Sequence, residues 1–316
     1  MTLTRRAFLG SSGAALAAAG MPGCATGQAG GRDRLTVIDT HTHFYDPTRP
    51  QGVPWPGKGE KKLYRRVMPE DFLAQKAPHA AAGTVVVEAS AWVEDNQWIL
   101  DLADRSPVIV GFIGNLKPGV PEFEGHLRRF AAHRLFRGIR VRDRGIGEGV
   151  DWTALVADMK RMAERGLTLD VNVPPRTLPD LEKLAREVPD LRVVINHVAL
   201  ARIDGKAVNE DWSRQVRALA RLPKVFMKVS ALAEATGRPD AAPREVDFYR
   251  PWLDVLWEAF GEDRLVYGSN WPVSDKFAPL ETVQGIVLDY FAPRGRAVLE
   301  KVFSRNARAA YSWVDR

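Results

Sequence analysis

A (β/α)8 TIM barrel is the fold predicted for residues 35–316, and three observations carry it. Eight short runs rich in Val, Ile and Leu recur along the chain with little apolar–polar alternation, as expected of parallel strands buried on both faces. Between them lie stretches with apolar residues at helical spacing. No G-x-G-x-x-G follows any of the runs, which removes the main rival, a doubly wound dinucleotide fold. The length suits one barrel domain.

The first run, Leu35–Thr40, leads into His41-Thr42-His43. Alternation along a strand puts Asp39, His41 and His43 on one face. Two imidazoles so placed can share a divalent ion, with Asp39 behind them to fix a tautomer. Phe44–Glu70, rich in proline and carrying Trp55 and Tyr64, is a long insert of the kind that covers a site. The later runs are Thr84–Ala89, Val108–Gly114, Phe136–Val141, Leu167–Asn172, Leu191–Asn196, Lys224–Val229 and Leu265–Gly268. Helices are expected over Asp95–Asp104, Trp152–Arg165, Leu178–Glu187, Asp211–Ala220 and Val246–Phe260, with Gly166, Pro175, Pro189 and Pro223 marking boundaries.

Barrel chemistry sits at the C-terminal ends of the strands. There the chain places His41 and His43, Glu88, Arg137 and Arg140, Asp170 and Asn172, Asn196 and His197, Lys228 and Ser230, and Ser269-Asn270-Trp271. Three of the six histidines fall at this one face; His79, His126 and His133 lie in or beside helices and are expected on the surface. Lys228, inside an apolar strand, must find a partner or a lowered pKa. Arg140 can clamp a carboxylate or a lactone carbonyl. Trp55 and Trp271 are expected to line the pocket, with Glu88 and Asn172, and to stack on a sugar ring.

The formal net charge is +6, of which residues 1–34 carry half through four Arg and one Asp. The remaining cations are interspersed with acids, so nothing marks a nucleic-acid surface. Thr4-Arg5-Arg6-Ala7-Phe8-Leu9, followed by a small-residue apolar stretch, reads as a twin-arginine export signal, and the Gly-rich segment after it as a flexible tether. The single cysteine, Cys24, precludes an intrachain disulfide. Met21-Pro22-Gly23-Cys24 partly matches a lipobox; a lipid anchor at Cys24 or an incidental cysteine in a cleaved leader are the two readings.

Asp39-Thr40-His41-Thr42-His43-Phe44, Pro54-Trp55, Phe136-Arg137-Gly138-Ile139-Arg140, Ile195-Asn196-His197 and Tyr267-Gly268-Ser269-Asn270-Trp271-Pro272-Val273 together resemble the amidohydrolase-related family. Within it they are most similar to the branch of TIM-barrel hydrolases that includes sugar-acid lactonases. The resemblance implies a divalent ion, Zn or Mn, or a substrate carbonyl held by His41, His43 and His197. It also implies a strand-eight residue that activates water. Here the chain departs from the family's G-S-D-W-P, since Asn270 cannot act as a base near neutral pH. An amide can hold a water or bind an ion through its carbonyl oxygen, and His197, Glu88 or Asp275 would then take the proton. The expected activity is opening of a sugar-acid lactone, with Arg140 and Lys228 orienting the small-molecule substrate and its oxyanion. The alternatives are a non-oxidative decarboxylase and a binding protein that has lost turnover.

Overall fold

The computed structural model describes residues 34–312, without the Arg144 side chain. The predicted export signal, the tether and Cys24 lie outside the described residues. Eight parallel strands follow one another in sequence order: β1 (Val37–Thr42), β2 (Ala81–Val87), β3 (Ile109–Gly114), β4 (Phe136–Arg142), β5 (Thr168–Asn172), β6 (Arg192–Ile195), β7 (Val225–Val229) and β8 (Leu265–Tyr267). Helices including Asp95–Arg105, Trp152–Glu164, Leu178–Glu187, Glu210–Ala220 and Val246–Phe260 connect them. The five predicted helices are present, and the eight strands form the predicted barrel.

The seam between β8 and β1 closes through the chain beyond β8. Thr42 pairs with Trp271 in parallel, His43 N donates to the Trp271 carbonyl at 2.9 Å, and Asn270 N donates to the His41 carbonyl at 2.9 Å. Thr40 Oγ1 adds a bond to the Tyr267 carbonyl at 2.6 Å. Gly268 permits this approach: a Cβ there would stand 2.9 Å from His41 Cβ.

Branched and aromatic side chains fill the lower interior, among them Ile38, Val85, Val110, Val194, Phe226 and Val266. The C-terminal helix Asn306–Tyr311 closes the N-terminal end of the barrel. The Ala310 carbonyl accepts from Thr168 Oγ1 at 2.7 Å and Arg192 Nε at 3.2 Å, and Asn306 Nδ2 donates to the Leu265 carbonyl at 2.8 Å. With one end plugged, access is left to the other, where the strands point. Among the described residues no helix is long and apolar enough to cross a membrane.

Candidate active site

β1 carries the first two histidines, and their surroundings fix what each can do. Lys228, on β7, is fully buried. Its Nζ donates to the Thr40 carbonyl at 2.9 Å and to Asp170 Oδ2 at 2.8 Å, and lies 3.2 Å from His41 Nδ1. An ammonium has three hydrogens and no lone pair, so His41 Nδ1 accepts and the ring proton is on Nε2. That Nε2–H is buried without a hydrogen-bond partner. Burial first, then the Lys228 charge, holds the His41 ring neutral, well below the usual histidine range.

His43 has the opposite tautomer. Its Nδ1–H donates to the Val87 carbonyl at 2.9 Å, which leaves Nε2 bare and 3.3 Å from Asn270 Oδ1. Burial, with Arg140 next, pushes this ring down to about 3. His197 follows β6 at φ +55° and opens a left-handed run through Val198, Ala199 and Leu200. Such backbone costs about 1–2 kcal/mol per residue and collects where function needs it. Trp212 Nε1, donating to the Val198 carbonyl at 3.1 Å, braces the turn, and His197 Nδ1 meets Ser230 Oγ at 2.9 Å. Ring centroids lie 5.0 Å apart for His41 and His43 and 4.3 Å for His41 and His197. The three predicted histidines stand together.

As hydrogen-bonded here, the three rings do not fit a divalent ion. His41 offers an N–H where a ligand needs a lone pair, and among the described residues no three His, Cys, Asp or Glu side chains are grouped to hold a metal.

Above this floor opens a cavity of about 520 Å³, lined by His43, Arg140, Asn172, His197 and Asn270 as predicted, and also by Arg142 and Glu234. Trp55, from the long insert, closes one side, its ring 5.8 Å from that of His43. The insert is tied down by the Tyr45–Val67 bridge and by Tyr45 OH donating to the Leu63 carbonyl at 2.8 Å. Arg140 is aimed by Glu88: Nε donates to Oε1 at 2.9 Å and Nη2 to the Glu88 carbonyl at 2.6 Å. Arg142 shares the same Oε1 at 3.1 Å.

Five predicted roles change. Lys228 lies beneath the floor with its hydrogens committed, so it positions His41 and does not meet substrate. Trp271 is fully buried, 5.5 Å from Phe72 and 6.4 Å from Phe44 by ring centroids. Val266 faces the interior and Asn270 the cavity, so a period of two already puts Trp271 on the opposite face. Glu88 is occupied by the two arginines, which leaves it an anchor and neither a base nor a substrate contact. Asp39 touches no histidine ring: its Oδ1 accepts from the backbone N of His41 at 3.0 Å and of Ser269 at 2.9 Å, tying β8 to β1. The tautomer role expected of Asp39 falls to Lys228. Asp275, a predicted proton acceptor, does not line this cavity.

Glu234 belongs to none of the motifs read from the sequence. It stands four residues beyond Ser230 in the short turn Leu232–Ala235, and its Oε1 accepts from Asn270 Nδ2 at 2.9 Å. An acid just past a strand end, within an otherwise small and apolar stretch, was the available clue. Arg142 falls one residue beyond the predicted end of β4.

The sequence profile of the amidohydrolase family matches residues 38–313. The chain is 32% identical over 289 residues to the L-fucono-1,5-lactonase of Burkholderia ambifaria, covering 88% of this chain and 96% of that one. It is 29% identical over 266 residues to the L-fucono-1,5-lactonase of Burkholderia multivorans, covering 79% and 86%. Among solved structures, an amidohydrolase from Burkholderia multivorans with bound zinc superposes with a TM-score of 0.76 at 25% identity, covering 88% of this chain and all of that one. With the barrel, the histidine cluster and the profile match in place, the chain belongs to the amidohydrolase family.

Proposed function

We propose that this hydrolase opens the lactone ring of a sugar acid by attack of water, in the cavity above His41. The observation that carries the reading is the setting of two guanidiniums, Arg140 and Arg142, in the same cavity as two uncharged imidazoles, His43 and His197. Attack on a lactone carbonyl builds negative charge on its oxygen. Fixed cationic donors in a partly closed site stabilise that charge without reorganising. Neutral imidazoles and the Asn172 and Asn270 amides supply donors and acceptors for ring hydroxyls, and the Trp55 face suits the apolar side of a sugar. The names of the two Burkholderia relatives support the same substrate class. A divalent ion has no part in this mechanism, because the histidine tautomers do not suit one.

The test is a panel of aldonic-acid 1,4- and 1,5-lactones, followed by acid release against the spontaneous rate. Opening of at least one member is expected. No opening, with carbon dioxide released from hydroxylated aromatic acids instead, would replace this reading by the decarboxylase one. We also infer export through the Arg5-Arg6 signal; replacing both by lysine should leave the protein in the cytoplasm, and unchanged export would refute it.

A further inference from the structure

We infer that Glu234 is the catalytic base of this site, taking the proton that Asn270 cannot take. The inference rests on the lactonase reading above and names the group that this reading leaves open. Glu234 lines the same cavity as His43, His197 and Arg140. Only Oε1 has a partner, the Asn270 amide at 2.9 Å; Oε2 has none. The amide thus aims the carboxylate from the position where the wider family carries an acid, and free lone pairs remain on both oxygens.

The neighbouring bonds favour arrival of a proton. While Glu234 is ionised, Asn270 donates to it and turns Oδ1 toward His43 Nε2, so two acceptors face each other at 3.3 Å. When Glu234 takes a proton, its O–H can donate to Oδ1 of a turned-over amide, whose Nδ2 then donates to His43 Nε2. Every member of the chain is satisfied in that state. Burial, with Asp275 adding to it and the Asn270 bond opposing, pushes the Glu234 carboxyl up to about 7. Tyr249 couples to it, and His43, His197, Arg140, Arg142 and Lys276 line the same cavity.

In the proposed step, a water oxygen bonds to the lactone carbonyl carbon as its proton passes to the Glu234 carboxylate. Collapse of the tetrahedral intermediate breaks the bond from that carbon to the ring oxygen, and Glu234 returns the proton to the departing oxygen. The sum is lactone plus water to hydroxy acid, with the carboxylate regenerated.

The experiment measures kcat and melting temperature for wild type, Glu234→Gln, Glu234→Asp and the exchange variant Asn270→Asp/Glu234→Gln, on one lactone that the wild type opens. Glu234→Gln should lose about 10²–10⁴-fold in kcat while still melting cooperatively. Glu234→Asp should keep more activity than Glu234→Gln. The exchange variant, with acid and amide swapped across the same hydrogen bond, should recover at least about tenfold of the loss. Activity of Glu234→Gln within about threefold of wild type overturns the proposal, since removal of a base costs far more. So does an exchange variant that folds but is no better than Glu234→Gln, with Glu234→Asp equally low, because the acid would then matter only as structure. A wild type that opens no lactone overturns the functional reading and the proposal together; wild-type turnover with an unimpaired Glu234→Gln overturns the proposal alone.

Discussion

Lys228→Met is expected to cost about 3–5 kcal/mol of stability, the usual penalty for breaking a buried pair from one side. The change leaves Asp170 fully buried, with Oδ1 already unpartnered and only the Tyr311 hydroxyl, at 3.3 Å, still reaching Oδ2. Burial already works against the charge at both positions: it pushes the Asp170 carboxyl up and pulls the Lys228 ammonium down, and each group is what offsets the cost for the other. Lys228→Met combined with Asp170→Asn should therefore be more stable than Lys228→Met alone, because no uncompensated charge remains. Neither variant should be fully active, since His41 loses the donor that holds its proton on Nε2. Urea midpoints of the three proteins check the first claim. A Lys228→Met loss under about 1 kcal/mol, the range of exposed pairs, would show that the pair is not sealed from water.

Glu234→Gln is expected to raise stability at alkaline pH by about 3–4 kcal/mol while it removes turnover. The folded protein holds the Glu234 proton up to about pH 7, whereas an unfolded chain releases it near 4.5. A carboxyl raised by folding binds more protons in the native state, so stability falls as pH climbs between those values. At roughly 1.4 kcal/mol per pKa unit, the penalty is complete above pH 7 and absent below 4.5. Glutamine carries no such penalty. The melting gap between Glu234→Gln and wild type should be near zero at pH 4.5 and widen up to about pH 8. A gap independent of pH would mean that the Glu234 carboxyl titrates as it would in water.

The barrel was legible because its strands are buried on both faces and therefore read as apolar runs, a pattern that does not depend on where the connecting loops go. The convergence of His41, His43 and His197 was legible for the same reason, since strand ends in such a barrel share one rim. What the pattern could not give was direction beyond the strands. His197 leaves β6 in a left-handed run, so the neighbours of that motif residue point where no period predicts. Trp271 was misplaced for a different reason: its place beside Asn270 was read as a pocket position, although alternation puts the two on opposite faces. Lys228 illustrates a different limit: its burial was foreseeable from its apolar strand, but which acceptors its three hydrogens meet depends on β1 and β5, far away in sequence. Glu234 escaped notice because a lone acid after a strand looks like any loop residue until the Asn270 amide is seen against it.

The most direct test of metal-independent, carboxylate-assisted lactone opening is kcat/KM on one accepted lactone from pH 5 to 9, with protein dialysed against a chelator. The expected result is full activity after dialysis, rising with pH through an apparent value near 7 and then level, as the base loses its proton. Activity that vanishes on dialysis and returns only with added zinc, or a profile flat across the whole range, would contradict it.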